Sequence, residues 1–195
     1  VIKSESGSDW QEINVIEIET GKELEDALKW VKFSGTSWVK DGFYYSRYPK
    51  PEGSAFSSEN VFHSVYFHKL GTPQSEDELI YRDETEPNRY HFAYATEDNK
   101  YLVLNVSTGT DGNSLLIKDL EQKDSQWKVL VAGFKDHSSV VEHIDGKFLL
   151  LTDIDAPKYR LVAADASVDL SDRALWTDVV QESEHLLESV SASAG

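Results

Sequence analysis

The sequence predicts an all-β chain made of four-stranded antiparallel sheets, arranged as β-propeller blades. Three observations lead there. One ordered set of parts occurs three times. Corresponding parts keep similar spacings: 47 residues from Asp98 to Asp145, 44 from Ile117 to Leu161 and 49 from Trp127 to Trp176. Each copy holds about four short runs of strand character, a unit whose faces are buried only when neighbouring units stack on it. A β-sandwich also gives short strands with regular turns, but it does not repeat one ordered set of parts three times.

Taken in order, residues 1–22 read as the end of one blade. "GKELEDALKW" has the only helical spacing in the chain; Gly21 and the flanking strands leave room there for little more than a turn or an extended linker. Residues 31–83 form the first full copy. Its Asp41-Gly42 turn signal is followed by "FYYSRY", an insertion "PKPEGSAFSSEN", then "VYFHKL" and "ELIYRD". Residues 88–132 form the second, with Asp98-Asn99, "YLVLNV", "SLLIKDL" and "WKVLVA". Residues 135–181 form the third, with Asp145-Gly146, "FLLLTD", "YRLVAAD" and "WTDVVQ", and 185–195 open a further blade. Asp followed by Gly or Asn favours the tight turns between antiparallel neighbours. The unbroken apolar runs after those turns suit strands buried on both faces.

About four blades is the lower limit for a closed ring. Three copies with partial flanks therefore predict an arc of a larger propeller, and an opening in mid-pattern without Met suggests a piece of something longer. An arc leaves bare apolar end faces and unpaired strand edges, so the isolated chain is expected to self-associate, as a dimer that buries those faces or exchanges end strands.

With 39% hydrophobic and 11% aromatic residues, the chain of 195 can bury a sizeable core. Nineteen basic against thirty-five acidic residues give a net charge of −16, which repels phosphate backbones and anionic membrane surfaces. Neither nucleic acid nor membrane is expected as a partner. No run of eighteen apolar residues and no charged-then-apolar leader is present. The absence of cysteine removes disulfides, zinc thiolate sites and cysteine nucleophiles, and leaves the compartment undecided between cytoplasmic and periplasmic.

Catalytic motifs are scarce. A serine nucleophile of the α/β-hydrolase type stands on a G-x-S-x-G elbow. Ser37 and Ser114 each follow a Gly at two residues, but neither has the closing Gly, so both read as strand or turn residues. His63 and His68 are five apart on a strand, hence on opposite faces, and do not form a metal pair. His91, His137, His143 and His185 lack regular ligand spacing and read as surface or hydrogen-bonded histidines. Asp153 and Asp155 read as turn residues. There is no GxGxxG and no P-loop, so no nucleotide cofactor, no metal and no catalytic residue is expected within the chain.

Four ordered stretches carry a resemblance: "SGSDWQEINVIEIETGKELEDALKWVKFSGTSW" from Ser6 to Trp38, "DGFYYSRYPKP" from Asp41, "VYFHKLGTPQSEDELIY" from Val65 and "DAPKYRLV" from Asp155. Together they resemble the propeller domain of the prolyl oligopeptidases, the "YFHKLGTPQSED" stretch most specifically, and the proline-cleaving branch fits best. The resemblance implies a longer two-domain enzyme. In that enzyme an α/β-hydrolase domain with a Ser-Asp-His triad cleaves short peptides after proline, and a seven-bladed propeller caps it and keeps folded proteins out. This chain would be the middle blades, with the catalytic domain outside it. Carried over by position, the apolar side chains facing the substrate cavity are Val15, Val61 and Ile80, with core packing as the alternative for each. Two other functions compete: a stand-alone propeller-like module binding a peptide or protein, and, less well supported, a small hydrolase using paired carboxylates, for which no acid pair has a suitable context.

Overall fold

A computed structural model describes residues 1–4, 8–51 and 59–192. Among these the chain forms fifteen strands and two short 3₁₀ turns, without an α-helix. Among the described residues no helix is long and apolar enough to cross a membrane. Two compact units, Val1–Tyr94 and Ala95–Gly195, divide the chain. The insertion "PKPEGSAFSSEN" falls largely, at 52–58, outside the described residues, as do 5–7 and 193–195.

In the first unit, β1 (Ile2–Ser4), β2 (Gln11–Ile16) and β3 (Glu23–Val31) make a three-stranded antiparallel sheet in chain order. The stretch expected as a turn or extended linker is thus a nine-residue strand. Leu24, Leu28 and Val31 fit a helical repeat, but Asp26 is buried on the same strand as Leu28, and pairing with β2 fixes the extended form. The next sheet runs β4 (Thr36–Val39), β5 (Gly42–Arg47), β6 (Ser64–Lys69), β7 (Glu78–Tyr81). Ile13, Val15, Leu28 and Val31 from the first sheet form one core cluster with Phe43, Tyr45 and Tyr66 from the second. Each large apolar side chain fully buried there stabilises the fold by about 1.5–3 kcal/mol relative to exposure.

The third sheet has the order β8 (Tyr90–Ala95), β9 (Tyr101–Ser107), β10 (Ser114–Asp119), β11 (Lys128–Val131). The fourth has the order β12 (Ser138–Ile144), β13 (Lys147–Thr152), β14 (Arg160–Asp165), β15 (Thr177–Val180). The three repeats are therefore three four-stranded antiparallel sheets, each taken in chain order. Phe43 to Ser46 and Leu102 to Leu104 are consecutively buried, as strands covered on both faces require. β13 instead alternates, with Phe148, Leu150 and Thr152 buried between half-buried leucines.

The turn signals work by different means. Asp145 and Gly146 both take positive φ, 50° and 75°, as a two-residue hairpin loop demands. Asn99 supplies φ 56° in the second copy. In the first copy the loop is Lys40-Asp41, and Lys40 carries the positive φ of 53°. Gly42 is already in β5, where a Cβ would collide with the His68 carbonyl and the Phe67 ring.

Candidate functional site

The structure separates the three side chains singled out from the sequence. Val15 lies in β2, 7% exposed within the core cluster, and borders an open groove of about 370 Å³ with Val1, Ile2, Ile18 and Trp38. Val61 precedes β6 and lines a separate recess of about 330 Å³ with Tyr48, Pro49 and Pro51. Ile80 is half-buried on the outer strand β7 and borders neither.

A different group gathers in the first unit, where strand ends meet. Trp10 packs edge-on against Trp30 at 5.8 Å and Tyr48 at 6.1 Å. Phe33 meets Tyr90 at 5.7 Å, and His63 lies 4.9 Å from Tyr48, 5.9 Å from Tyr90 and 5.4 Å from Phe92. The Lys32 ammonium sits 5.2 Å above Trp10 and 5.7 Å from Phe33, and pairs with Asp9 at 3.4 Å. Phe33 is 52% exposed. Trp30, Phe33 and Phe62 all hold left-handed φ between 53° and 62°, a conformation costing an ordinary L-residue roughly 1–2 kcal/mol. Strained, partly exposed aromatics beside a cation form a surface able to stack on apolar or ring-bearing ligand groups. The visible sequence signal is the density of aromatics in "LKWVKF", but no rule of spacing reveals their backbone strain.

Burial pushes the Tyr48 hydroxyl up to about 12. It also pulls His63 down to about 4, with nearby His91 adding to the effect, against the opposing pull of its hydrogen bond to the Lys32 carbonyl. His63 is therefore neutral at ordinary pH.

The "YFHKLGTPQSED" stretch serves a second, internal network. His68, fully buried, directs Nε2 at Asp26 Oδ1 (3.0 Å) and Nδ1 at Asp77 Oδ1 (2.7 Å). The Gly71 N–H donates to the same Asp26 oxygen at 2.6 Å, and the Tyr45 hydroxyl donates to Asp77 Oδ2 at 2.5 Å. Gln74 clasps the Lys29 backbone, accepting from its N–H at 3.1 Å and donating to its carbonyl at 3.0 Å. Burial works against the Asp26 carboxylate, yet the Gly71 N–H and His68 outweigh it and hold its pKa below the usual value. Residues 68–77 thus fasten β3 to the second sheet.

The remaining sequence candidates lie in strands, in turns or at the surface. Ser114 donates to the Val131 carbonyl at 2.7 Å, and Ser37 lies within β4. Asp153 accepts from the His137 N–H at 2.6 Å, and Asp155 sits in a turn at φ 53°. His143, buried, faces Asp98 at 2.8 Å, and His137 and His185 are exposed. No cluster of three His, Cys, Asp or Glu able to hold a metal occurs among the described residues.

Four-stranded antiparallel sheets, each taken in chain order and repeated along the chain, define a protein of propeller-blade architecture. The chain belongs to the family described as prolyl oligopeptidase, N-terminal beta-propeller domain, whose model matches residues 2–195. It is 44% identical over 187 residues to a prolyl endopeptidase of Elizabethkingia meningoseptica, covering 95% of this chain and 26% of that protein. To the prolyl endopeptidase of Elizabethkingia miricola it is 42% identical over 181 residues, covering 92% of this chain and 25% of the other. A structure from a study of two prolyl endopeptidases and their inter-domain dynamics superposes with a TM-score of 0.87 at 30% identity, covering 98% of this chain and 27% of that one. The chain spans about a quarter of the length of these relatives.

Proposed function

We propose that this chain is the propeller part of a proline-specific serine oligopeptidase. In this reading it caps and gates the cavity of an α/β-hydrolase part of the same longer chain, admits proline-containing peptides and contributes no nucleophile. The observation that carries the reading is the match of a propeller family to residues 2–195, while a prolyl endopeptidase aligned over 95% of this chain is covered for only 26% of its length. The sequence lacks a G-x-S-x-G elbow, and the Ser114 hydroxyl is committed to a carbonyl. Val15, Val61 and Ile80 remain proposed cavity contacts. The aromatic surface around Phe33 joins them, because a ring 52% exposed is held at a left-handed φ, with only its edge contact to Tyr90 and the Lys32 ammonium described beside it.

The test is direct. The purified chain should leave a chromogenic prolyl peptide intact, and a serine-reactive phosphonate should leave its mass unchanged. Turnover abolished by Ser37→Ala or Ser114→Ala would overturn the reading. The isolated chain is also proposed to self-associate, supported by the exposed Ile2, Ile18 and Trp38 around the Val15 groove. A monomeric mass in light scattering at every concentration would overturn that.

A further inference from the structure

We infer that His63 is a positioning residue: as a neutral bridge of fixed tautomer, it holds the Lys32–Phe33 peptide, and with it the exposed Phe33 ring, in place against β8. The inference rests on the proposed reading that the aromatic surface meets the peptide.

His63 is 1% exposed. Its Nδ1 accepts from the His91 backbone N–H at 3.0 Å, so that nitrogen carries no hydrogen. The hydrogen of the neutral ring must then sit on Nε2, 3.0 Å from the Lys32 carbonyl, to which it donates. His91 returns the tie, its own Nδ1 donating to the His63 carbonyl at 2.5 Å. One imidazole therefore links two backbone segments, 31 residues away on one side and 28 on the other. The Lys32 carbonyl belongs to the peptide unit that leads into Phe33, whose φ of 53° an ordinary residue does not hold unaided. Tyr48, Tyr90 and Phe92 enclose the ring, so no solvent replaces either partner.

Protonation undoes this arrangement by geometry. A hydrogen added at Nδ1 faces the His91 N–H, and two donors cannot share that contact. The charged groups around the site are mixed: Lys32 on the bridged turn with its partner Asp9, and Asp83 and Arg89 acting on His91 from the segment before β8. None of these is a carboxylate placed on His63 to receive an imidazolium, unlike the pair that flanks His68. Acid should thus release the Phe33 turn.

The experiment uses this chain with ¹⁵N-labelled histidine. At neutral pH the His63 nitrogens should show the neutral Nε2–H tautomer. Amide exchange across residues 31–35 should quicken about tenfold in His63→Ala, the loss of roughly one net hydrogen bond. It should stay near wild type in His63→Gln, whose amide nitrogen occupies the Nε2 place. Lowering the pH should reduce the protection factors of the same amides, referred to the intrinsic exchange rate at each pH, in wild type and leave those of His63→Gln unmoved. An Nδ1–H tautomer, a charged ring at neutral pH, or unchanged exchange in His63→Ala would overturn the inference. Binding of a proline-containing peptide, followed by tryptophan fluorescence, tests the underlying reading separately. If the exchange responds as expected but Phe33→Gly binds the peptide as well as wild type, the bridge stands and the peptide-facing role of the surface falls.

Discussion

Two buried histidines of the first unit, five residues apart, are held in opposite ways. Both ring nitrogens of His68 face carboxylates, so with Asp26 and Asp77 ionised both must donate. Both nitrogens of His63 face backbone, one N–H and one carbonyl, so one must donate and the other accept. The same side chain at nearly the same burial is thus a rivet between two carboxylates in one place and a bridge between two backbone groups in the other. Burial lowers His63, but the polarity of the partners the fold supplies decides which of its ring nitrogens carries the hydrogen.

The largest effect should come from the rivet. His68→Ala leaves the buried Asp26 and Asp77 carboxylates without the ring that both face, and breaking one member out of such a buried set costs about 3–5 kcal/mol. Denaturant unfolding measures it, and a loss no larger than that of His63→Gln would erase the contrast.

Acid should act on the bridge next. His63 takes up its proton near 6.5 when unfolded but near 4 when folded. Between those values the unfolded chain binds more protons, so stability falls as pH falls from about 6.5 to about 4, by roughly 3 kcal/mol, and levels off below. Asp26 shifts the other way. Its lowered pKa gives stability present above its ordinary value of 3.8 and lost only as pH falls through the lowered one, so the two windows are distinct. Melting followed against pH should show the upper window vanish in His63→Gln while the lower one persists.

Smaller again is the second tie to β8. The buried Ser46 hydroxyl donates to the His91 carbonyl at 2.7 Å, and Ser46→Ala should cost about 1–2 kcal/mol at every pH, measured by denaturant unfolding. The smallest effect on stability belongs to Phe33→Gly. Glycine relieves the left-handed backbone as it gives up the Tyr90 edge contact, so the net change in denaturant midpoint should correspond to within about 0.5 kcal/mol. A large loss would recast Phe33 as a core residue.

Most of the strand order was legible, because repeats with turn pairs and apolar runs are local signals. β3 was not. Its Leu24, Leu28 and Val31 are spaced as on a helix, and the buried Asp26 among them owes its place to His68, 42 residues on. Gly42 was read as a turn residue, but its need for a bare Cα comes from the carbonyl and ring across the sheet. The aromatic surface escaped for a related reason: Trp30, Phe33 and Tyr90 are ordinary strand-forming residues until their backbone angles and neighbours are known.

By itself, the sequence determined the all-β class, the three repeated four-stranded units, the acidic surface and the absence of a nucleophile elbow. Each depends on residue type and spacing along the chain. Tertiary structure alone decided which histidine donates twice and which bridges, that Asp26 is buried, and that Phe33 stands exposed in a strained turn. These depend on partners 9 to 42 residues away, and hydrogen-bond polarity and burial are properties of the pair in space, which sequence spacing alone does not carry.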